Sequence, residues 1–140
     1  MNCCTETLNE LPEKLKIGIR GVDDDHWILL SLVKEVQEAV AHGRGKEVTQ
    51  KALDTLVAYV RVHFNREERL LRHHQYPDLA VHKAAHDAFA RQTMEYLVDV
   101  QGGVTDVSGD MLAYLKKWIV EHIMGMDQDY GEYLRERGVR

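Results

Sequence analysis

The stretch 63-HFNREE-68, with its echo at 82-HKAAH-86, decides how this chain folds. Each places a second ligand-type side chain four residues after a His: Glu67 follows His63, and His86 follows His82. Residues four apart lie one above the other on an α-helix. The flanking sequence is helical in period. Leu53, Leu56, Val60, His63, Glu67 and Leu70 form one series with steps of three and four, and Leu79, His82, His86, Phe89 and Leu97 form another. Such a stripe is the buried face of an amphipathic helix. The His and Glu side chains therefore occupy core positions.

Two more helices extend the pattern. Asp23 to Ala41 carries Leu29, Leu30, Val33, Val36 and Val40 on one side and stops at 42-HGRG-45. Its leading acids Asp23, Asp24 and Asp25 suit the positive end of the helix dipole. The second helix spans Glu47 to about Arg72 and is broken by Tyr76-Pro77. Asp78 is expected to cap the third, which runs to about Val100. After the loop 101-QGGVTDVSGD-110, Asp110 to about Arg137 forms the fourth, with Leu112, Leu115, Ile119, Met126 and Tyr130 as its apolar side. The sequence predicts an all-α, antiparallel up-down-up-down four-helix bundle. One domain is expected over 1–140, with a non-helical leader at 1–15 and the bundle at 16–137.

Antiparallel topology then fixes heights. His26 lies 15 residues before Ala41, and His63 lies 16 residues after Glu47. Both distances are about 24 Å at the helical rise, so the two imidazoles finish level. His82 and His86 fall in the first turns of the third helix. His122 lies 12 residues into the fourth, about 18 Å along it. All four helices deliver a His to one slice of the bundle. A single His on an apolar face is ordinarily a hydrogen-bonded core residue. Five, with Glu67 among them, are another matter. Each buried polar group without a partner costs roughly 2–7 kcal/mol, against a net stability of about 5–15 kcal/mol for a domain. A metal supplies the common partner, since imidazole and carboxylate suit iron, zinc and manganese. Asp127 follows His122 by five residues, about 140° away on an ideal helix. It is a solvated acid unless the helix distorts locally, which Gly125 would ease. His42, His73 and His74 fall in a loop and at a helix end, as surface residues.

Composition narrows the alternatives. The net charge of -5 leaves no basic footprint for nucleic acid or an anionic membrane. No run approaches the roughly 20 apolar residues of a membrane span. The start MNCCTETLNELPEK has neither a basic region nor an apolar run, so no signal peptide is expected. Cys3 and Cys4, the only two cysteines, read as reduced thiols, which fits a cytoplasmic protein.

The segments 17-IGIRGVDDDHWILL-30, 63-HFNREE-68, 76-YPDLAVHKAAHDAF-89 and 118-WIVEHIMGMDQDY-130 together resemble the hemerythrin family, and within it the single-domain bacterial members. The resemblance implies two non-haem irons with an oxo or hydroxo bridge. His82, His86 and His122 would hold one, His26 and His63 the other, and Glu67 and Asp127 would bridge them. Asp25 stands where the family commonly has Gln. Five imidazoles, two bridging carboxylates and one bridging oxygen leave one of twelve octahedral positions open, on the His26/His63 iron. Trp118 and Ile119 would lie over it, with Phe64 and Phe89 nearby as pocket residues. The implied ligand is dioxygen, with small anions such as azide as mimics. The implied function is reversible dioxygen binding for transport, storage or sensing, without enzymatic turnover. Peroxide or nitric oxide reduction, an oxidase activity and iron storage are the alternatives on the same residues.

Overall fold

The computed structural model describes residues 11–43, 46–102 and 107–140. Cys3 and Cys4, the Gly-rich stop at 44–45 and the middle of the long loop lie outside these residues. Among the described residues there are helices and no strands. Helix α1 spans Arg20–Ala41, α2 Lys46–His73, α3 Leu79–Gln101 and α4 Val107–His122. A π-helical turn, Ile123–Asp127, carries the fourth arm on into α5, Gln128–Glu136. Backbone angles at His122, Asp127 and Gln128 stay in the right-handed helical region, so the arm is continuous. Each helix packs on the next, and α4 closes the ring against α1.

The segment before α1 belongs to the core rather than to a loose leader. Leu11 and Leu15, placed in the leader by the sequence, are buried with Ile17 and Ile19. A single 3-10 turn, Glu13–Leu15, starts the segment. Asp23 then reaches back from the first turn of α1, and its carboxylate accepts hydrogen bonds from the Ile17 and Gly18 amides at 2.8 and 3.2 Å. This satisfies amides that the helix leaves unpaired. Gly18 sits at φ +85°, a conformation that favours glycine, and the Arg135 side chain packs where its Cβ would be. Gln128 Nε2 and an Arg135 guanidinium nitrogen donate to the Lys16 and Ile17 carbonyls, tying the segment to α5.

Three expectations need correction in detail. The buried leucine at the end of α2 is Leu71, while Leu70 is half-buried. On the fourth arm Met111 is buried and Leu112 only partly so. The arm also begins at Val107, not Asp110, so His122 lies 15 residues along it, matching the other helices more closely than the sequence suggested. Asp78 occupies the N-cap position of α3, but its carboxylate makes no capping bond. The chain turns between α2 and α3 by another device. Gln75 adopts φ +55°, and the Tyr76 amide donates to the Leu71 carbonyl at 2.9 Å. That is the left-handed closure that often ends a helix. The Tyr133 hydroxyl donates to the His74 carbonyl at 2.8 Å and braces the turn from α5.

Replacing Asp23 by Ala leaves two amides at the entry to α1 without their acceptor. We expect Asp23→Ala to cost about 1 kcal/mol, the usual scale for a lost helix-start acceptor. The urea midpoint should fall with its slope unchanged; an unmoved midpoint contradicts the role.

Candidate metal centre

One level of the bundle collects seven ionisable side chains. His26 comes from α1, His63 and Glu67 from α2, His82 and His86 from α3, His122 from the end of α4 and Asp127 from the end of the π turn. All are buried, none more than 8 % exposed. The pairs at 63/67 and 82/86 meet through ordinary α-helical spacing. The pair at 122/127 meets through the π turn, whose wider hydrogen-bonding ring puts residues five apart on one face. Asp127 Oδ1 consequently lies 3.1 Å from His122 Nε2. Gly125 is not the reason: its surroundings would admit a Cβ freely, and its backbone is not left-handed.

The two carboxylates are each shared between two halves of the cluster. Glu67 Oε1 lies 2.6 Å from His82 Nε2 and 3.1 Å from His86 Nε2. Its Oε2 lies 3.0 Å from His63 Nε2 and 3.8 Å from His26 Nε2. Asp127 divides the same way, with Oδ1 toward His122 and His82, and Oδ2 3.1 Å from His26 Nε2. Ligand-type atoms thus gather in two sets: Glu67, His82, His86 and His122 form one, and His26, His63, Glu67 and Asp127 form the other.

The donor chemistry fits cations at both sets. His86 Nε2 lies 3.2 Å from His122 Nε2, which lies 3.3 Å from His82 Nε2. Three imidazole nitrogens aimed at one another cannot all donate and accept. Both ring nitrogens of His26, and Asp127 Oδ1, are buried without a hydrogen bond. His26 Nε2 is close to Asp127, but the two atoms are misaligned for a hydrogen bond, as groups aimed at a common third point would be. Buried polar atoms of native proteins are ordinarily paired.

Protonation states reflect this crowding. Burial, the largest influence, pulls the His63 imidazolium down, but the Asp25 and Glu67 carboxylates outweigh it and raise it to about 10. Burial likewise opposes the charged form of His82, which Asp127 and Glu67 raise to about 9. Burial pushes the Glu67 carboxyl up, yet the surrounding imidazoles hold it well below its usual range. Asp127 is lowered too, by His122, His26 and His82 against burial and the neighbouring Glu67.

Several groups that sequence reasoning missed surround the cluster. Tyr130, read as apolar filling, donates its hydroxyl to Glu67 Oε2 at 2.8 Å. Asp25, read as a first-turn acid, is buried and bound to His63 Nδ1 at 3.0 Å. Glu68 reaches His86 Nδ1 at 2.9 Å. Their only signal was position: each stands beside, or one turn from, a ligand-type residue. Of the expected surface histidines, His42 and His73 are exposed and His74 is half-buried.

Aromatic rings wall one side. Phe64 stacks on His86 at 3.7 Å, and Trp118 stacks on His122 at 4.3 Å. Phe89 stacks on the far face of this wall, against Trp118 at 4.0 Å. A small cavity of about 10 Å³ borders the cluster. His26, His63, His122 and Asp127 reach it, beneath Leu29, Val60, Phe64, Trp118, Ile119 and Ile123. Phe89 is not among its lining residues. A larger groove of about 440 Å³ reaches Val60 and Phe64 but none of the seven clustered side chains.

Residues 17–134 match the family model described as the hemerythrin HHE cation binding domain. The chain belongs to the hemerythrin family. Among its relatives is a bacteriohemerythrin of Methylococcus capsulatus, 32 % identical over 112 residues, covering 80 % of this chain and 85 % of that one. Another, from Stenotrophomonas maltophilia, is 30 % identical over 88 % of this chain and 79 % of its own length. A crystal structure of wild-type hemerythrin superposes with a TM-score of 0.77 at 29 % identity, covering 91 % of this chain and 95 % of that chain. The hemerythrin fold here is the four-helix bundle predicted from periodicity. The family's cation-binding description and the two ligand sets together imply a non-haem di-iron centre.

These protonation states predict how the metal-free chain responds to pH. Imidazoles raised above their unfolded value near 6.5 contribute stability that is complete below that pH. That stability is lost as pH climbs through about 9 for His82 and about 10 for His63. The urea midpoint of the metal-free protein should therefore fall between neutral pH and pH 10, and metal loading should flatten that fall. Zinc binding near pH 8 should also release about two protons per chain, since the metal needs neutral imidazole. Zinc uptake without proton release contradicts the assignment.

Proposed function

We propose that this protein binds dioxygen reversibly at a di-iron centre held by His26, His63, Glu67, His82, His86, His122 and Asp127. The observation that carries the reading is the division of Glu67 and Asp127 between the two ligand sets. Each carboxylate presents one oxygen to either side, as a bridge between two cations requires. His82, His86 and His122 belong to one iron in this reading, and His26 and His63 to the other, with an oxo or hydroxo bridge between them. Two irons so placed supply a redox pair able to lend electrons to dioxygen and recover them.

The protein's own part is to hold, shield and restrict. Five neutral imidazoles against two carboxylates supply less negative charge than carboxylate-rich di-iron sites do, which disfavours highly oxidised metal and so favours release over turnover. The Tyr130 hydroxyl fixes one Glu67 oxygen at 2.8 Å. Leu29, Val60, Ile119 and Ile123 give the cavity at His26 and His63 an aliphatic roof that water does not wet. Its volume of about 10 Å³ is near the minimum for a single water. That size suits a diatomic molecule and excludes an organic substrate, which favours binding over an oxidase. Peroxide and nitric oxide are small enough to enter, so reductase activity is the reading that the experiment must separate. Azide, a small anion, should enter by the same roof. No described helix is long and apolar enough to cross a membrane.

Anaerobically reduced protein, cycled between air and vacuum, should show a visible band that appears and disappears repeatedly. Metal analysis should give two irons per chain. One iron, or a band that never reverses while reductant is consumed, overturns the reading. Opening the roof sharpens it. Ile119→Ala should speed both azide entry and the irreversible loss of the air-dependent band, at a stability cost of about 2–5 kcal/mol. His42→Ala, on the exposed end of α1, should change neither rate. Parental rates in an iron-replete Ile119→Ala protein would show that Ile119 is not the roof.

A further inference from the structure

Asp25 stands behind His63, on the side of the ring away from the cluster. Its Oδ2 lies 3.0 Å from His63 Nδ1, while His63 Nε2 lies 3.0 Å from Glu67 Oε2. Asp25 Oδ1 in turn accepts from the Tyr59 hydroxyl at 2.8 Å and from Arg66 Nη1 at 2.8 Å. The carboxylate is buried and held by three donors, two of them on the α2 face that carries His63. Consecutive residues of α1 thus serve one region from two directions: His26 faces into the cluster, and Asp25 reaches round to the back of the neighbouring helix's imidazole. His26 has no such support, since its Nδ1 is without a hydrogen bond. In the other ligand set Glu68 stands behind His86 in the same way, at 2.9 Å.

We propose that Asp25 is the positioning residue of the His26/His63 site. It keeps the proton of neutral His63 on Nδ1, leaves Nε2 as the metal donor, and makes His63 the more strongly donating imidazole of that pair. A carboxylate behind a ligating imidazole fixes its tautomer and ring orientation and raises its basicity. The bonds to Tyr59 and Arg66 matter because a carboxylate free to swing would order nothing. The inference rests on the two-metal reading of the cluster and adds a division within it: removing Asp25 weakens one metal position, and removing the Glu68 charge weakens the other.

A purely structural role predicts something else. If the Asp25, Tyr59 and Arg66 group only ties α1 to α2, its loss lowers stability but leaves the two metal positions in their original ratio. Zinc separates these cases without involving dioxygen. Stepwise zinc titration of the parent should show two equivalents. In Asp25→Asn, which keeps the shape and an acceptor but removes the charge, one equivalent should weaken by about tenfold, and in Asp25→Leu by up to about 100-fold, the range for such supporting groups. The other equivalent should keep its affinity. Glu68→Gln should reverse the pattern. In the zinc-loaded parent, nitrogen-15 spectra should show His63 protonated on Nδ1 with slow exchange; that proton should exchange faster in Asp25→Asn. If Asp25→Leu fails to fold, the Asp25→Asn comparison decides alone. Parental affinity at both positions in Asp25→Asn, or equal weakening of both, overturns the proposal while leaving the two-metal reading intact. A parent that takes up fewer than two zinc ions overturns both.

Discussion

Glu67 sits at the centre of a hydrophobic bundle with 1 % of its surface exposed, and four imidazoles from three helices are within reach of its two oxygens. A buried carboxylate is among the most expensive groups a core can contain. Everything around it can be understood as compensation. α1, α2 and α3 each bring a His to it, and α5 brings the Tyr130 hydroxyl. The bundle has to be four helices of matched length, because only then do side chains from alternating directions arrive at one level. The apolar layers on either side, Leu53, Leu56 and Met111 below and Leu71 and Leu134 above, keep solvent from screening the charge. Burial therefore strengthens each interaction in the cluster while making each partner indispensable.

Much of this was legible in the sequence because helical geometry is simple. Steps of three and four placed His63, Glu67, His82 and His86 inward, and the rise per residue set their heights. The i+5 spacing of His122 and Asp127 was legible only as an anomaly. Periodicity could say that a distortion was needed, not that it would be a π turn, and it pointed to Gly125 where the backbone makes no special demand. Neighbouring positions on a stripe were also beyond it. Leu70 and Leu71 differ by 100° on the helix, and which of them is buried depends on how α5 leans over the end of α2. Asp78 looked like a cap by residue type, but the chain closes that corner with Gln75 and Tyr133 instead. Asp25 was hidden for a different reason. An acid in a first turn has a sufficient local explanation in the helix dipole, and nothing in the spacing announces that an imidazole from another helix lies behind it.

The matching of these corrections to function is not accidental. Local rules fail where a tertiary demand overrides them, and here the demand is the same each time. The π turn exists where a carboxylate has to be turned inward, and Asp25 and Tyr130 leave their expected environments to satisfy members of the cluster. By contrast, the supporting stretches far from it, such as Val33 and Val36 on α1, behave as their pattern says.

The walls of the cluster differ between its two halves, and that difference bears on where a small ligand can go. Phe64 lies flat on His86, Trp118 lies flat on His122, and Phe89 backs Trp118, so two of the three imidazoles in one ligand set are pinned by stacked rings. Stacking leaves no gap on those faces. Beside His26 and His63 the covering residues Leu29, Val60, Ile119 and Ile123 are aliphatic, and the small cavity lies under them. Aliphatic side chains cannot tile an imidazole edge as a flat ring can, so space is left on the side with fewer ligand nitrogens. Ligand count and packing thus favour the same half of the centre. An arrangement with two imidazoles but a stacked aromatic cover would have an open position and no room beside it. An arrangement with three imidazoles and an aliphatic cover would have room and no open position. Here the aliphatic cover lies over the two-imidazole half, which is the combination a reversible binder of a diatomic molecule needs.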